Sequence, residues 1–148
     1  MGRIIAIDYG LARTGIAVTD NLQIISIPLI TLKPNHVIWF LKDYCSREDV
    51  ESIVIGFPCG VDDKAAIVIA IQKFFQKLRN IFLDKHIFLY NEMYTSKIAS
   101  HYLKHDWIKK RIRNEKTTLD MLSAAIILES YLSTRNKKHT IAYSLIVE

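Results

Sequence analysis

Three acidic residues stand beside apolar segments, at positions where their side chains could meet. Asp8 ends the apolar run 4–7, Glu92 follows the apolar run 86–90, and Asp120 lies in the first turn of the last clear helical segment. Converging carboxylates repel one another and are costly to keep ionised without a cation. Hard oxygen ligands of this kind suit Mg²⁺ or Mn²⁺, and two such ions about 3.5 to 4 Å apart would clamp both reacting oxygens of a phosphodiester displacement. The pattern predicts a catalytic metal site.

Each acidic residue also has an ordinary structural explanation. Asp8 could be a turn former at a strand end, and Glu92 could be a solvated loop acid. Asp120 completes the pattern Thr117-x-x-Asp120, in which an acid caps its own helix. The small residues 123–125 favour the functional alternative, because they would let this helix lie close to the sheet and bring Asp120 near Asp8.

Basic residues supply two candidate contacts to a phosphate group. Arg13 lies in the loop beside Asp8 and could steady a scissile phosphate. A second group surrounds Trp107, where basic charge beside an aromatic ring suits a surface that tracks phosphates and stacks a base. The alternatives are an exposed loop arginine and a solvated charged face. The members of the second group predicted to bind substrate are Lys110, Arg111, Arg113 and Lys116.

The order of predicted elements explains how these side chains would be positioned. Residues 3–20 are typical of two short strands joined by a glycine-bearing link. The third strand, 24–32, contains Pro28, which predicts an edge or a bulge because proline cannot donate to a ladder. Strands and helices then alternate, with helices at 36–45, 62–82, 95–105 and 117–134 and strands at 52–57 and 86–90. This predicts an α/β fold with a mixed five-stranded sheet, three antiparallel strands and then parallel ones, flanked by helices. The same order is found in the ribonuclease H-like fold.

Length and composition predict one domain in a cytoplasmic protein. The chain has 148 residues, half of them hydrophobic, and a formal net charge of +5, which weakly favours an anionic partner. Cys45 and Cys59 lack metal-ligand spacing and are interpreted as reduced thiols. We find neither a signal peptide nor an apolar run of membrane-spanning length. The predicted domain is 1–134, and 135–148 is an extension that forms either an added strand or a loose tail.

Four motifs resemble those of the YqgF/RuvX-type bacterial family of pre-16S rRNA nucleases and Holliday junction resolvases. They cover residues 3–132, nearly the whole chain. The first is Ala6-Ile7-Asp8-Tyr9-Gly10 with Arg13, Gly15, Ala17 and Asp20, and the second is Val54-Ile55-Gly56-Phe57-Pro58 followed by Asp62. The third is Asn91-Glu92-Met93-Tyr94-Thr95-Ser96, and the fourth runs from Lys116 through Asp120 to Ala125.

The resemblance implies a ribonuclease H-like fold and metal-dependent nuclease activity. By family analogy Asp8, Glu92 and Asp120 fall on the catalytic positions that hold Mg²⁺ or Mn²⁺, two ions in all. The third motif departs from the family pattern, since Met93 stands where arginine is usual and Asn91 where aspartate is usual. A cationic fork that could contact a phosphate is therefore missing there.

Four functions are compatible with these residues. The preferred one is an endonuclease that matures the 5′ end of pre-16S rRNA during ribosome biogenesis, with nucleic acid and ribosomal precursor particles as partners, acting as a monomer or homodimer. The second is a Holliday junction resolvase in DNA recombination and repair, whose two-fold substrate calls for a symmetric dimer. The third is a phosphotransferase of the actin-like ATPase type, which the single-domain length disfavours. The fourth is a nucleic-acid-binding protein without catalysis.

Overall fold

The computed structural model describes residues 2–58, 62, 64–92, 118–135 and 140–141. Within these ranges the strands are β1 (Arg3–Asp8), β2 (Thr14–Thr19), β3 (Ser26–Leu32), β4 (Val50–Phe57), β5 (His86–Asn91) and β6 (Thr140–Ile141). The helices are α1 (Val37–Arg47), preceded by a 3₁₀ turn at Pro34–His36, then α2 (Ala66–Ile81) and α3 (Thr118–Thr134). The helix predicted at 95–105 lies outside the described residues.

All six strands belong to one sheet, in the order β3-β2-β1-β4-β5-β6. The first three strands pair antiparallel, whereas β1 pairs parallel with β4 and β4 with β5. This confirms the predicted mixed sheet. A sixth strand, β6, pairs antiparallel with β5 inside the segment that was predicted as an added strand or a tail. Since β1, β4 and β5 are parallel, their carboxyl ends meet at one edge.

Pro28 lies in β3, which is an outer strand of the sheet. The register between β2 and β3 shifts between Ile16 and Ala17, opposite the segment that contains the proline. A bulge at an edge is where a residue without a backbone N–H is tolerated. Both alternatives predicted from Pro28 are therefore present together.

Alternation along the strands divides the core between the two faces of the sheet. In β1, Ile5 and Ile7 are buried in a cluster that includes residues of α1 and α2. Ile4 and Ala6 are buried in the second cluster, with Ala124 and Ala125 of α3. Successive side chains of a strand point to opposite faces, so every even-numbered position of β1 faces α3.

Helix α3 packs unusually close to the sheet. Ala124 and Ala125 are fully buried, and the hydroxyl of Ser26 donates a hydrogen bond of 2.8 Å to the carbonyl of Ala125. At Gly15 of β2 an added Cβ would overlap the backbone of Asp120 in the first turn of the helix. The small residues at both surfaces are what permit this approach, as the sequence predicted.

Helix α2 begins later than predicted. The prediction placed its first turn at Asp62, but Asp62 Oδ1 instead accepts a hydrogen bond of 2.9 Å from the N–H of Lys64. An aspartate that bonds the backbone two residues on forms a local turn in place of a helical turn. The helix therefore begins at Ala66. No helix in the described part of the chain is both long and apolar enough to cross a membrane.

Candidate active site

Asp8 is the last residue of β1 and lies on the face that α3 covers. Ile4 and Ala6 precede it at two-residue spacing and are buried against α3. In register, Asp8 pairs with Gly15 of β2, and Gly15 underlies the backbone of Asp120. The first turn of α3 is thereby held beside Asp8. Burial, and secondly the negative charge of Asp120, raise the pKa of Asp8 to about 6.

Glu92 directly follows β5 and reaches the same face. Tyr90, two residues earlier, is buried in the cluster around α3, and Glu92 Oε1 lies 2.6 Å from the place that a Cβ on Gly56 would take. Gly56 belongs to β4, the strand between β1 and β5, which are therefore about 10 Å apart. Burial, and secondly the charge of Asp8, raise the pKa of Glu92 to about 7. The missing side chain at Gly56 is what leaves room for the Glu92 carboxylate.

Gly56→Ala tests whether this gap positions Glu92. The added methyl group would meet the tip of Glu92 and the Cδ1 of Ile127, each at 2.6 Å. Both are ends of flexible side chains, so we expect a change of only about 1–2 kcal/mol in the free energy of unfolding. Misplacement of a catalytic group by about 1 Å can cost about 100-fold, so we expect nuclease activity to fall between about 10- and 100-fold. A urea titration and a cleavage assay measure the two effects separately, and unchanged activity would contradict the positioning role.

Asp120 lies in the first turn of α3 and is paired with Arg13. Arg13 Nε is 2.9 Å from Asp120 Oδ2, and the two side chains are 56 % and 25 % exposed. That oxygen is buried and accepts no hydrogen bond from the described residues. The contact is thus an ion pair without the alignment of a hydrogen bond. Arg13 thus contacts a carboxylate of the acidic site, and its contact with a phosphate stays a prediction.

The three carboxylates are close enough to influence one another, and their chemistry fits a divalent cation. Asp120 raises the pKa of Asp8, and Asp8 raises the pKa of Glu92. The buried Oδ2 of Asp120 accepts no hydrogen bond from the described residues and has Arg13 as its ion-pair partner, so a divalent cation would add ligand contacts and relieve the repulsion. In the part of the chain that the structure describes, no three His, Cys, Asp or Glu residues already form a group that could hold a metal ion. The donor types fit, and the binding itself stays a prediction.

The raised pKa values predict how the metal-free protein responds to pH. A carboxyl whose pKa is higher in the folded state contributes stability that is complete below its unfolded pKa and is lost as pH rises through the folded pKa. For Asp8 this loss runs from 3.8 to about 6, and for Glu92 from 4.5 to about 7. In chelator, we expect the free energy of unfolding of Glu92→Gln to fall less than that of the wild type between pH 5 and pH 8.

The expected difference is on the order of 1–2 kcal/mol, because Glu92 is partly solvated and the full shift is not realised. Urea titrations of both proteins at the two pH values measure it, and the comparison cancels contributions from all other groups. Asp84→Asn is the matched control, since its carboxylate is 80 % exposed at the opposite end of β5. Parallel pH profiles for the wild type and Glu92→Gln would contradict the burial of this charge.

Part of the predicted site lies outside the described residues. This holds for Met93 of the third motif and for the basic residues predicted to bind substrate, Lys110, Arg111, Arg113 and Lys116. Conversely, a depression between α1 and α2 is lined by basic and aromatic side chains that were not predicted from the sequence. The spacing of Lys73 and Lys77, four residues apart on one helix face, was the available signal.

A mixed sheet with acidic residues at the ends of two parallel strands and in the first turn of the covering helix is the arrangement expected of a ribonuclease H-like fold. The model of the RuvX family, described as Holliday junction resolvase, matches residues 2–134. The chain belongs to this family, which confirms the resemblance seen in its motifs. Membership implies dependence on a divalent metal in general.

Similar proteins cover nearly the full length of the chain. A protein of Amoebophilus asiaticus named "Putative pre-16S rRNA nuclease" is 48 % identical over 142 residues, which cover 95 % of this chain and 100 % of that protein. One of the same name from Flavobacterium psychrophilum is 40 % identical over 136 residues, covering 91 % and 99 %. The structure resembles Thermus thermophilus RuvC in complex with a Holliday junction substrate, with a TM-score of 0.59 at 9 % identity, over 95 % of this chain and 98 % of that one. At that identity the likeness concerns the fold alone, and it confirms the predicted fold class.

Proposed function

We propose that this protein is a metal-dependent nuclease that hydrolyses phosphodiester bonds during maturation of the 5′ end of pre-16S rRNA. The observation that carries the proposal is the placement of Asp8, Glu92 and Asp120 on one face, at the edge where parallel strands end. Two of these carboxyls have raised pKa values because they are buried beside another acid. The names of the full-length relatives support pre-16S rRNA as the substrate.

In this proposal, Asp8, Glu92 and Asp120 hold two Mg²⁺ or Mn²⁺ ions. When bound, the ions supply Lewis-acid chemistry for displacement at a phosphodiester. Arg13 carries a planar fork of N–H donors that suits a phosphate, and its half-exposed side chain already lies at the site. Its role is to orient the scissile phosphate beside the carboxylates. The basic residues 110, 111, 113 and 116 extend the contact along the substrate backbone.

We further propose where the protein acts and with what partner. It acts in the cytoplasm on precursor particles of the small ribosomal subunit, as a monomer or homodimer. Residues 1–134 form the nuclease domain, and 135–148 are an extension of it. These points follow from the proposed substrate and from the motif boundaries.

The second candidate is a Holliday junction resolvase. The description of the family model favours it. A four-way junction presents two equivalent strands, so cutting both calls for a symmetric dimer. A nucleic-acid-binding protein without catalysis is the third candidate, because Met93 stands where an arginine that could contact phosphate is common in the family.

The test is cleavage of a labelled RNA that carries the pre-16S 5′ leader, with a four-way DNA junction in parallel. Both are incubated with the protein in Mn²⁺, in Mg²⁺ and in chelator. We expect metal-dependent cutting of the RNA. Cutting of the junction alone would favour the resolvase, and cutting of neither by folded protein that binds them would leave the binding function.

A further inference from the structure

A groove between α1 and α2 combines aromatic rings with positive charge. It has a volume of about 700 Å³, and we call it the α1/α2 groove. Trp39 on α1 is 72 % exposed, and the Tyr9 ring stacks on that of Phe74 with centroids 4.5 Å apart. The residues that matter here are Tyr9, Trp39, Lys42, Lys73, Phe74 and Lys77.

The lysines of this groove are not paired with acidic side chains in the described part of the chain. Lys42, Lys73 and Lys77 are all exposed, and none makes an ion pair with another described residue. Lys73 and Lys77 lie four residues apart on α2, where like charges repel. Among the described residues, no acidic side chain lines the groove. A polyanion would therefore be favoured there.

The groove is connected to the acidic site through β1. Tyr9 directly follows Asp8, and consecutive Cα atoms are only about 3.8 Å apart. Because strand residues alternate, Asp8 faces α3, whereas Tyr9 packs with the cluster on the side of α1 and α2. The groove therefore begins one residue from Asp8, on the opposite face of the sheet, so a nucleic-acid strand would have to cross the end of β1 to contact both.

The surface continues beyond the lysines along α2. A second depression of about 430 Å³ is lined by Lys73 and Lys77 together with Gln72, Gln76 and Asn80. Side-chain amides both donate and accept hydrogen bonds, which suits the polar edges of bases and riboses. Positive charge beside an exposed indole ring is typical of a single-strand binding surface.

We propose that the α1/α2 groove binds a single-stranded flank of the nucleic acid that is cut at the acidic site. The lysines contact its phosphates, and Trp39 stacks on an unpaired base. The proposal rests on the nuclease function proposed above. A second copy of this chain is the less favoured occupant, because a two-fold contact would bring the lysines of both copies together with no acidic partner in the groove.

The first test measures binding in chelator, so that it is independent of cleavage. A fluorescent 12-nucleotide single-stranded RNA is titrated with the full chain, and a blunt RNA duplex serves as comparison. We expect the Kd of Trp39→Ala to rise about 10-fold and that of Trp39→Phe, which keeps an aromatic ring, to rise about 3-fold or less. The double variant Lys73→Gln/Lys77→Gln should lower the slope of log Kd against log salt by about 1.4, for two phosphate contacts at about 0.7 each.

Arg79→Gln is the control on the same helix, because it removes one positive charge of α2 outside the groove, where the guanidinium lies 5.9 Å from the Phe75 ring centroid. We expect its Kd to match the wild type. In a Trp107→Phe background, Trp39 is the one remaining tryptophan of the two in the chain. Its fluorescence should then be quenched by the single strand and unchanged by the duplex.

Several results would overturn the proposal. Wild-type affinity in Trp39→Ala and in the double lysine variant would do so, as would an equal loss in Arg79→Gln. A dimer in sedimentation that Trp39→Ala converts to monomer would identify a second copy as the occupant. Loss of binding in the groove variants with no cleavage by the wild type would refute the nuclease function and keep the groove as a binding site.

Discussion

Asp8→Asn is expected to abolish cleavage of the pre-16S leader while stabilising the metal-free fold. Asparagine keeps the shape of the side chain but removes the charge that would hold the ions. A loss of several kcal/mol of charge stabilisation in the transition state corresponds to about 1,000-fold or more in rate. The fold gains because Asp8 is half-buried beside Asp120, and this burial and the neighbouring charge raise its pKa to about 6.

At pH 8 in chelator we expect the gain in the free energy of unfolding to be about 1–2 kcal/mol, since part of the charge is solvated. Single-turnover cleavage and urea titration on the same preparations measure the two effects. Asp84→Asn serves again as the control, with wild-type rate and stability expected. If Asp8→Asn loses activity but gains stability, Asp8 is retained for function at a cost in stability. A variant that loses both would point to the alternative in which Asp8 forms a turn.

Gly15→Ala is expected to destabilise the fold by about 3 kcal/mol or more, which is roughly 10 °C in Tm for a chain of this length. A Cβ at this position would overlap the backbone carbonyl of Asp120 and approach the N–H of Met121. Helix backbone cannot rotate away as a side-chain tip can, so the first turn of α3 must shift. The shift would also move Asp120 away from Asp8, and cleavage should fall with stability.

Gly56→Ala provides the matched comparison, because the same methyl group there meets only side-chain tips. We expect the midpoint of urea unfolding to fall strongly for Gly15→Ala and little for Gly56→Ala, with activity reduced in both. Equal stability of the two variants would contradict the close approach of α3 to β2. Far-UV circular dichroism of each variant in the assay buffer checks that it is folded.

Much of the fold and the acidic site followed from local patterns in the sequence. Period-two burial in β1 determines which face Asp8 takes, because consecutive strand residues alternate. Pro28 identified an outer strand, since it lacks the N–H that an inner strand needs. The strand-end positions of Asp8 and Glu92, together with the small residues of α3, predicted that the carboxylates come together. In the structure the charge of Asp120 acts on Asp8 and that of Asp8 on Glu92, while the metal site itself stays a prediction. The late start of α2 was not predicted. A local turn in which Asp62 accepts a backbone hydrogen bond replaces the first helical turn, and the spacing of apolar residues does not reveal such a turn.

Other features depended on which elements become neighbours. Gly56 admits Glu92 only because β4 lies between β1 and β5, and strand order is not a property of any single segment. The ion pair of Arg13 with Asp120 joins residues over a hundred positions apart. The α1/α2 groove likewise requires two helices to pack side by side. Residue type and spacing therefore determined which carboxylates could act as ligands and which face of the sheet each one takes. The distances between these side chains arose from long-range packing, which no local pattern encodes.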